Sequence, residues 1–531
     1  MSLREHNRTS IKYDDHKDFV LFFKPNGLRM HQVDDGQFGF IEAVSQQIDK
    51  KLFIVHRLDK GTSGLVLAAK TKVAAASLAE LFEKHQVQKT YFFLTDQQPV
   101  ETSFLVKTHI EKTQNQFVNN LALPPNSETQ LNFMRKVGPF YLWQAKPVSG
   151  KPHQIRLHAQ HSQIPLLGDA DHGGSPWFRL ALFATNLEFT LDGTHHHFAE
   201  PLPAHFEKLD SSELKSLFLD AHYNLNKIFH TKPTESYRLV QNDRHNIRAD
   251  ILGTYLWVYD YSDKGLSDLD ISKLQEFAAE KNYHLIVRHM LDRGQGVGGL
   301  EKSTLLNQPE ASSWTADEEG VHYEFRTDSG FSAGLFLDQR ENRKWVSTLA
   351  TDKTVLNLFS YTSGFSVVAG LAGAKKVTSV DASKKFLEWS KQNFRLNNLK
   401  PEDAEFFAQD CLVFLNGSKK RNRKWDLIIC DPPSFGRSQD SVWKIERNIF
   451  ELAELMWACL EPNGQILFTC NFEKWTRKEL VANFTKNLPK GQFKIERMPL
   501  LSLDFGETDE IKSLMKGFVL IRLLRANRII C

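Results

Sequence analysis

Cysteine is scarce in this chain. Five occur in 531 residues (Cys411, Cys430, Cys459, Cys470 and Cys531), all in the C-terminal part, without paired or metal-ligand spacing. A disulfide framework is excluded, and reduced thiols in a cytoplasm are the expectation. Long apolar runs are missing too: no window approaches the roughly 18 residues that a membrane span needs. Met1-Ser2-Leu3-Arg4-Glu5-His6 is polar with no apolar stretch behind it, so no secretory signal is expected. Nor is there an excess of one charge. Lys and Arg number 67 against 64 Asp and Glu, a net charge of +3, so contact with nucleic acid must come from local patches rather than a global field.

What is present is a globular composition, 41% hydrophobic and 25% charged, on a chain long enough for three or four domains of about 150 residues. The first stretch with chemical content is His56-Arg57-Leu58-Asp59, between the apolar Leu52 to Val55 and the apolar run Leu65 to Ala69. Two strands flanking a loop present Asp59 where a carboxylate serves as nucleophile or acid/base, with Arg57 facing a polyanion; a salt-bridged surface loop has the same letters. Around it, Phe19 to Phe23 and Lys89 to Leu94 read as strands and Val73 to His85 has helical spacing. Strands broken by short helices fit an α+β domain on a mixed or antiparallel sheet.

Five motifs follow in order: Lys24-Pro25-x-Gly27, His56-Arg57-Leu58-Asp59, Lys89-x-Tyr91, His153-Gln154-Ile155-Arg156-x-His158 and Pro165-x-x-Gly168-Asp169. This series resembles the RluA-type pseudouridine synthases, which isomerise uridine in RNA without a cofactor, and the likeness covers about residues 15–210. It implies that Asp59 is the catalytic aspartate and that Tyr91 packs on the base and moves a proton. It further implies that Arg156 pairs with Asp59, and that Arg57 replaces the flipped nucleotide in the RNA, with Lys89 and His153 also RNA-binding. Gly150-Lys151-Pro152 stands where that family has Gly-Arg-Thr, which keeps the charge but not the bidentate phosphate contact of Arg. His195-His196-His197 is expected in a strand turn without metal.

Composition shifts after this unit. A synthase domain is placed at 1–211, a linker at 212–235, a small α+β subdomain at 236–330 and a Rossmann-like α/β domain at 331–531. Gly294 to Gly299 lacks the Lys-Ser/Thr end of a phosphate loop and is expected to be a flexible tip. In the last unit, Val355 to Gly364 is a strand running into a loop, and the next strand ends at Asp381, where a nucleoside ribose is gripped in Rossmann-like folds. NAD is the runner-up ligand for such a loop. Asp410 follows a third strand and Asp431-Pro432-Pro433-Ser434-Phe435 a fourth, a pattern that resembles class I S-adenosylmethionine (SAM) methyltransferases acting on RNA bases.

Gly334-Leu335-Phe336-Leu337-Asp338-x-Arg340 and Asn393-x-Arg395-Leu396-Asn397 narrow the resemblance to the guanine-N7 half of the bifunctional large-subunit rRNA methyltransferases. The related 5-methylcytosine enzymes share much of it. The likeness implies cofactor contacts from Asp338, Arg340, Asn357, Phe359, Ser360, Tyr361, Thr362, Gly364, Asp381, Asp410 and Asp431. Asp431 is also implied as catalytic, and Pro433 and Phe435 as RNA contacts. Cytosine C5 needs a thiolate to add at C6, so Cys470 decides between the two chemistries; it is expected to be structural. The basic run Lys419 to Lys424 fits a phosphate contact or a solvated loop equally. The leading expectation is an RNA-modifying enzyme with two active sites, SAM as cofactor of the second, large-subunit rRNA as partner, no membrane partner and a cytoplasmic location. The alternatives are C5 methylation, a small-molecule methyltransferase with a relic synthase domain, and a ribosome-assembly factor.

Overall fold

The computed structural model describes residues 11–31, 39–114, 116–208, 212–229, 231–242, 246–290, 303–306, 311–329, 332–437, 442–505 and 515–523. The glycine-rich segment 294–299 lies outside the described residues.

An 11-stranded sheet forms the N-terminal unit. Its strands are β1 (Tyr13–Asp15), β2 (Phe19–Lys24), β3 (Phe53–Ile54), β4 (Ser63–Ala69), β5 (Gln88–Thr95) and β6 (Ser103–Lys112). They continue with β7 (Phe117–Asn120), β8 (Ser127–Val137), β9 (Phe140–Pro147), β10 (Leu182–Leu191) and β11 (Thr194–Ala199). The order is β1-β2-β4-β10-β5-β9-β8-β6-β7, with β3 on β4 and β11 on β10. Every pairing is antiparallel except β4 with β10, which run parallel over Ser63/Phe183 and Gly64/Ala184. Gly64 is required there: its φ is +125°, and a Cβ would stand 2.1 Å from the Ala184 carbonyl oxygen. Strands β2 and β4 read as unbroken apolar runs because both faces are covered, so neither shows alternation. One face carries α2 (Lys72–Glu83), capped by the Thr71 hydroxyl, and the other carries α1 (Phe40–Ile48) and α3 (Gln154–His161). Phe93, Trp143 and Phe183 are fully buried in this core, each worth about 1.5–3 kcal/mol. The His195 to His197 triplet lies on β11, paired to β10.

After the short α4 (Ala204–Glu207), the stretch read as a linker carries a 16-residue helix, α5 (Glu213–Ile228), opened by the Ser212 hydroxyl. Its periodic apolar residues are buried on two sides, which a polar average over the stretch conceals. Asp220 pairs with Arg179 of the N-terminal unit at 3.2 Å, both 3% exposed. On the other side, Lys215 reaches Glu276 (3.0 Å) and Glu280 (2.7 Å) of the next helix.

The middle unit is a five-stranded sheet: β12 (Ser236–Asn242), β13 (Ile247–Leu252), β14 (Tyr255–Asp260), β15 (His284–Met290) and β16 (Ser303–Leu305). Helix α6 (Asp268–Glu280) links β14 to the parallel β15, and a hairpin follows of β17 (Ser313–Glu318) and β18 (Val321–Arg326).

The last unit holds α7 (Arg340–Leu349), β19 (Thr354–Leu358), α8 (Gly364–Leu371), β20 (Lys376–Asp381), α9 (Lys384–Leu396), β21 (Glu405–Ala408), α10 (Cys411–Lys420) and β22 (Trp425–Cys430). The small hairpin β23 (Phe435–Arg437) and β24 (Val442–Lys444) precedes α11 (Ile445–Ala458), β25 (Leu460–Cys470), α12 (Arg477–Thr485), β26 (Phe493–Arg497) and β27 (Lys516–Arg522). The sheet order is β21-β20-β19-β22-β25-β27-β26, parallel except for β27. The order reverses between β19 and β22. Ligands of such sheets bind outside the carboxyl ends of the strands at that reversal.

Candidate functional sites

In the N-terminal unit the loop between β3 and β4 is fastened from beneath by one buried cation. Lys24, the last residue of β2, is fully buried, and its ammonium donates to the carbonyls of Pro25 (3.0 Å), Asp59 (3.2 Å), Lys60 (3.2 Å) and Thr62 (2.9 Å). A buried ammonium is tolerated only where such acceptors surround it, and here they fix the backbone of Asp59. His56 braces the same loop. Its Nε2 accepts from the Leu67 amide at 2.9 Å, its ring stacks on Phe82 at 4.6 Å, and burial pulls its pKa down to about 3.

Two elements converge on the Asp59 carboxylate, whose side chain keeps 18% exposure. Helix α3 brings Arg156, with Nη1 at 4.0 Å from Asp59 Oδ2. Strand β5 brings Tyr91, buried, whose hydroxyl is pushed up first by burial and then by the charge of Asp59. A phenol in that state holds its proton at neutral pH, so Tyr91 acts as a donor rather than a phenolate. His153 stands at the start of α3 with φ 56°, half-buried, and its Nδ1 meets His172 Nε2 at 3.0 Å. Burial lowers both histidines, with the Asp59 charge opposing it at His153.

Arg156 is shared between Asp59 and two further carboxylates. Its nearest carboxylate is Asp169, reached bidentately (Nε 2.7 Å, Nη2 2.5 Å), with Asp171 at 2.9 Å, and Asp59 takes only the remaining edge. Asp169 stands in the Gly168-Asp169 motif, yet neither it nor His172 was assigned a role from sequence. Lys89 donates to the Ser149 carbonyl at 3.0 Å, and burial draws its pKa down to about 8. Arg57 is exposed. His158 is a core residue, its ring held by Thr108 (2.9 Å), Ser127 (3.1 Å) and Thr129 (2.8 Å).

In the C-terminal unit, the loop after β19 takes left-handed φ at Phe359 (52°), Tyr361 (48°) and Ser363 (62°), none of them glycine. Such strain is costly and collects where a backbone is shaped for a ligand. The Tyr361 amide donates to Asp381 Oδ2 (2.9 Å) and the Ser383 amide to Oδ1 (2.8 Å), and burial still pushes the Asp381 carboxyl up to about 6. The hydroxyls of Ser360 and Ser363 are buried without a hydrogen-bond partner among the described residues. Polar atoms left unmet beside a carboxylate at the end of β20 fit a polar nucleoside cofactor.

Other expected cofactor contacts are spent within the fold. Asn357 donates to Ser366 at 3.0 Å inside the core, and Thr362 donates to the Gly334 carbonyl at 2.5 Å. Gly364 opens α8, where a Cβ would stand 2.8 Å from Leu335. Asp410 caps α10 through the amides of Leu412 and Val413. Arg340 is the clearest correction. Only 2% exposed, it bonds Ser502 (3.0 Å), Asp504 (2.9 Å) and the Ser236 carbonyl (2.9 Å), which ties the middle unit to the last one. Its positive charge is wholly consumed by structure.

Asp431, after β22, accepts from Thr469 (2.8 Å) and Gln339 (2.8 Å), and burial pushes it up to about 6. Pro433 and Phe435 beyond it are exposed, although the Pro433 carbonyl already takes the Trp443 indole N–H at 2.6 Å. Cys470, at the end of β25, is 1% exposed, and burial pushes its thiol up to about 11. Asp338 neighbours Asp431 but lines a different space, a cavity of about 150 Å³ with Arg238, Arg248 and Tyr261 of the middle unit. In the basic run Lys419 to Lys424, Arg423 is drawn onto Glu405 (2.5 Å) and the Trp425 ring.

Two family models match separate parts of the chain. The family model for RNA pseudouridylate synthase matches residues 18–161, and that for S-adenosylmethionine-dependent methyltransferase matches residues 266–513. Ribosomal RNA large subunit methyltransferase K/L of Shewanella oneidensis is 31% identical over 293 residues, 52% of this chain and 39% of that protein. Its counterpart in Shewanella frigidimarina is 37% identical over 253 residues, 45% of this chain and 35% of that protein. The matched part therefore spans only about two fifths of the length of these relatives. Among solved structures, the methyltransferase SMU.776 in complex with SAH superposes with a TM-score of 0.50 at 23% identity, over 64% of this chain and 88% of that one, a likeness of fold. On these matches the chain joins a pseudouridine synthase domain to a methyltransferase domain whose cofactor is S-adenosylmethionine.

Proposed function

We propose that this chain isomerises uridine to pseudouridine and methylates guanine at N7, both in RNA and most simply in large-subunit rRNA. For the first activity the supporting observation is the convergence of Asp59, Arg156 and Tyr91 on one partly open site. The isomerisation breaks the bond from ribose C1′ to uracil N1, turns the base, forms C1′–C5, removes the C5 proton and leaves a proton on N1. Asp59 is the nucleophile or base at the ribose, on a loop that Lys24 makes rigid. Tyr91 packs against the base and handles a proton. Arg156, anchored by Asp169, holds its free edge toward Asp59, and Arg57 fills the gap left by the extruded nucleotide.

For the second activity, S-adenosylmethionine supplies an electrophilic methyl group. Asp381 and the Phe359 to Ser363 loop hold it; Asp431, braced by Thr469 and Gln339, orients the acceptor base. Guanine N7 carries a free lone pair and needs only positioning, whereas cytosine C5 needs a thiolate. A thiol pushed up to about 11 inside the core is a poor source of one, and that favours N7. The likeness to the large-subunit rRNA methyltransferases of Shewanella supports rRNA as the substrate.

The test is one digest. Large-subunit rRNA from cells lacking the protein is treated with the full chain and SAM, hydrolysed, and its nucleosides are resolved by mass spectrometry. Pseudouridine and 7-methylguanosine are the expected products. Appearance of 5-methylcytidine without 7-methylguanosine overturns the methyl assignment, and absence of new pseudouridine overturns the first.

A further inference from the structure

The cavity beside Asp338 is built from two units. Arg238, Arg248 and Asp250 come from the middle sheet, Tyr261 from the loop after its strand β14, and Phe336 and Asp338 from the segment that precedes α7. No residue of the Phe359 to Ser363 loop lines it, and neither does Asp381. It is therefore a neighbour of the cofactor position rather than part of it. Phe336 connects the two: it lines the cavity, its ring is 5.4 Å from Tyr361 of the cofactor loop, and it is 44% exposed. An exposed phenylalanine between a cofactor loop and an open cavity offers a stacking face to a base.

The charges in the wall are unequally matched. Asp250 is engaged by Arg238 at 2.5 Å, and Arg238 also lies over the Phe505 ring at 4.9 Å. Arg248 lies over Tyr261 at 5.3 Å. Asp338 has no ion pair within 4 Å among the described residues, and the donor that acts on it is its own backbone amide; Arg238 and Arg343 act only from farther off. Burial pushes its carboxyl up. A half-buried carboxylate with so few donors gains from more of them. Among the four bases only guanine presents two adjacent N–H donors on its pairing edge, N1–H and N2–H. Cytosine and adenine set an acceptor beside their amino group, and uracil sets its single N–H between two carbonyls.

We infer that this cleft receives the target base and that Asp338 selects guanine, taking N1–H and N2–H on its two carboxylate oxygens while the ring lies against Phe336. Guanine N7 is on the far side of the purine from that edge, so the contact leaves N7 open. The inference rests on the guanine-N7 reading above and adds to it a specificity residue in a cleft that the middle unit helps to build.

The test is an internal competition. A large-subunit rRNA transcript is made with a minor fraction of inosine, which lacks only the N2 amino group, scattered among its guanosines. The full chain and SAM are added, and the ratio of 7-methylguanosine to 7-methylinosine, corrected for the guanosine to inosine ratio, is read by mass spectrometry. Wild type is expected to favour guanosine by about 10- to 100-fold, the loss expected for one charge-assisted hydrogen bond. In Asp338→Asn the preference should fall toward one, with SAM affinity by calorimetry unchanged, and Asp338→Glu should restore part of it. If wild type makes 7-methylguanosine and Asp338→Asn keeps the guanosine preference, Asp338 does not read the base. If Asp338→Asn instead loses SAM affinity, Asp338 is a cofactor ligand and the inference is overturned. If wild type methylates cytosine, the guanine reading itself fails, which is a different and separable result.

Discussion

The two candidate sites place their carboxylates in opposite electrostatic settings. Around Asp59 charge is met by charge: Arg156 serves three carboxylates, and Lys24 gathers four carbonyls beneath the loop. In the C-terminal unit Asp381 and Asp431 are half-buried with amide, hydroxyl and carboxamide donors but no cation within 4 Å among the described residues, and both are pushed up to about 6. The difference follows from what each site lacks. A synthase without cofactor must bring its own preorganised charges, because nothing else will stabilise the reacting ribose. A methyltransferase receives a cationic cofactor, so a fixed arginine beside it would repel the ligand. Arg340 and Arg343 are accordingly drawn away into Asp504 and Glu318.

The largest effect that would break this comparison is at Asp59. Asp59→Ala should lower pseudouridine formation by at least about 10⁴-fold, as loss of a nucleophile does. Methylation by the same preparation should remain, which mass spectrometry of one digest reads directly. Retention of pseudouridine would leave Asp59 a structural residue. Next is Lys24→Met. It takes the ammonium from the buried Pro25 and Thr62 carbonyls, while those of Asp59 and Lys60 keep the amides of Thr62 (3.1 Å) and Gly27 (2.9 Å), and should cost about 3 kcal/mol in urea unfolding together with about a 100-fold loss of pseudouridine turnover. A variant that unfolds at the same urea concentration as wild type would show that the loop does not depend on its ammonium.

Much of this is legible in the amino-acid sequence itself. The Phe19 to Phe23, Lys89 to Leu94, Lys376 to Val380 and Leu427 to Cys430 strands are readable because buried strands announce themselves as short apolar runs. The Asp59, Tyr91 and Arg156 set is found by motif order. What escapes reading is partnership. Arg340 and Asn357 carry the right letters for a ligand contact, and only long-range packing shows that Ser236, Asp504 and Ser366 consume them. The helix Glu213–Ile228 hides behind its polar residues because it is buried on two sides by partners distant in sequence. Asp169 and Lys24 lie inside recognised motifs, and the signal that points to their roles is chemical: a charged residue beside an apolar strand has to be paired.

A smaller effect sharpens the contrast on the methyltransferase side. Asp431→Asn should lower methyl transfer by about 10²-fold, the cost of losing an orienting group. It should also raise stability in a pH-dependent way. Asp431 takes up its proton near pH 6 in the folded chain against 3.8 as a free side chain. Between those values the folded state binds more protons, so wild-type stability falls as pH rises through the window and levels off above about 6. Asparagine has no such charge. The unfolding midpoint of the variant relative to wild type should therefore climb from pH 4 to pH 6 and stay constant to pH 8, and a constant difference across the whole range would refute burial as the cause.

The smallest effect is expected at Cys470, and it carries the most weight for the choice of base. A thiol that adds to a pyrimidine must be partly ionised and reachable. Cys470 is 1% exposed at the end of β25 and pushed up to about 11, leaving on the order of one thiolate in 10⁴ at pH 7. Lys516 is the cation whose charge acts on it, but that ammonium donates to the Phe472 carbonyl at 3.2 Å instead. Cys470→Ala should thus change methyl yield by less than about 3-fold, while losing about 1 kcal/mol of packing. A fall beyond about 10³-fold, with stability otherwise kept, would identify a covalent pyrimidine adduct and move the methyl group from guanine N7 to cytosine C5. The two sites would then both rely on a protein nucleophile, and the contrast between a site that brings its own charge and one that waits for its ligand would no longer separate them.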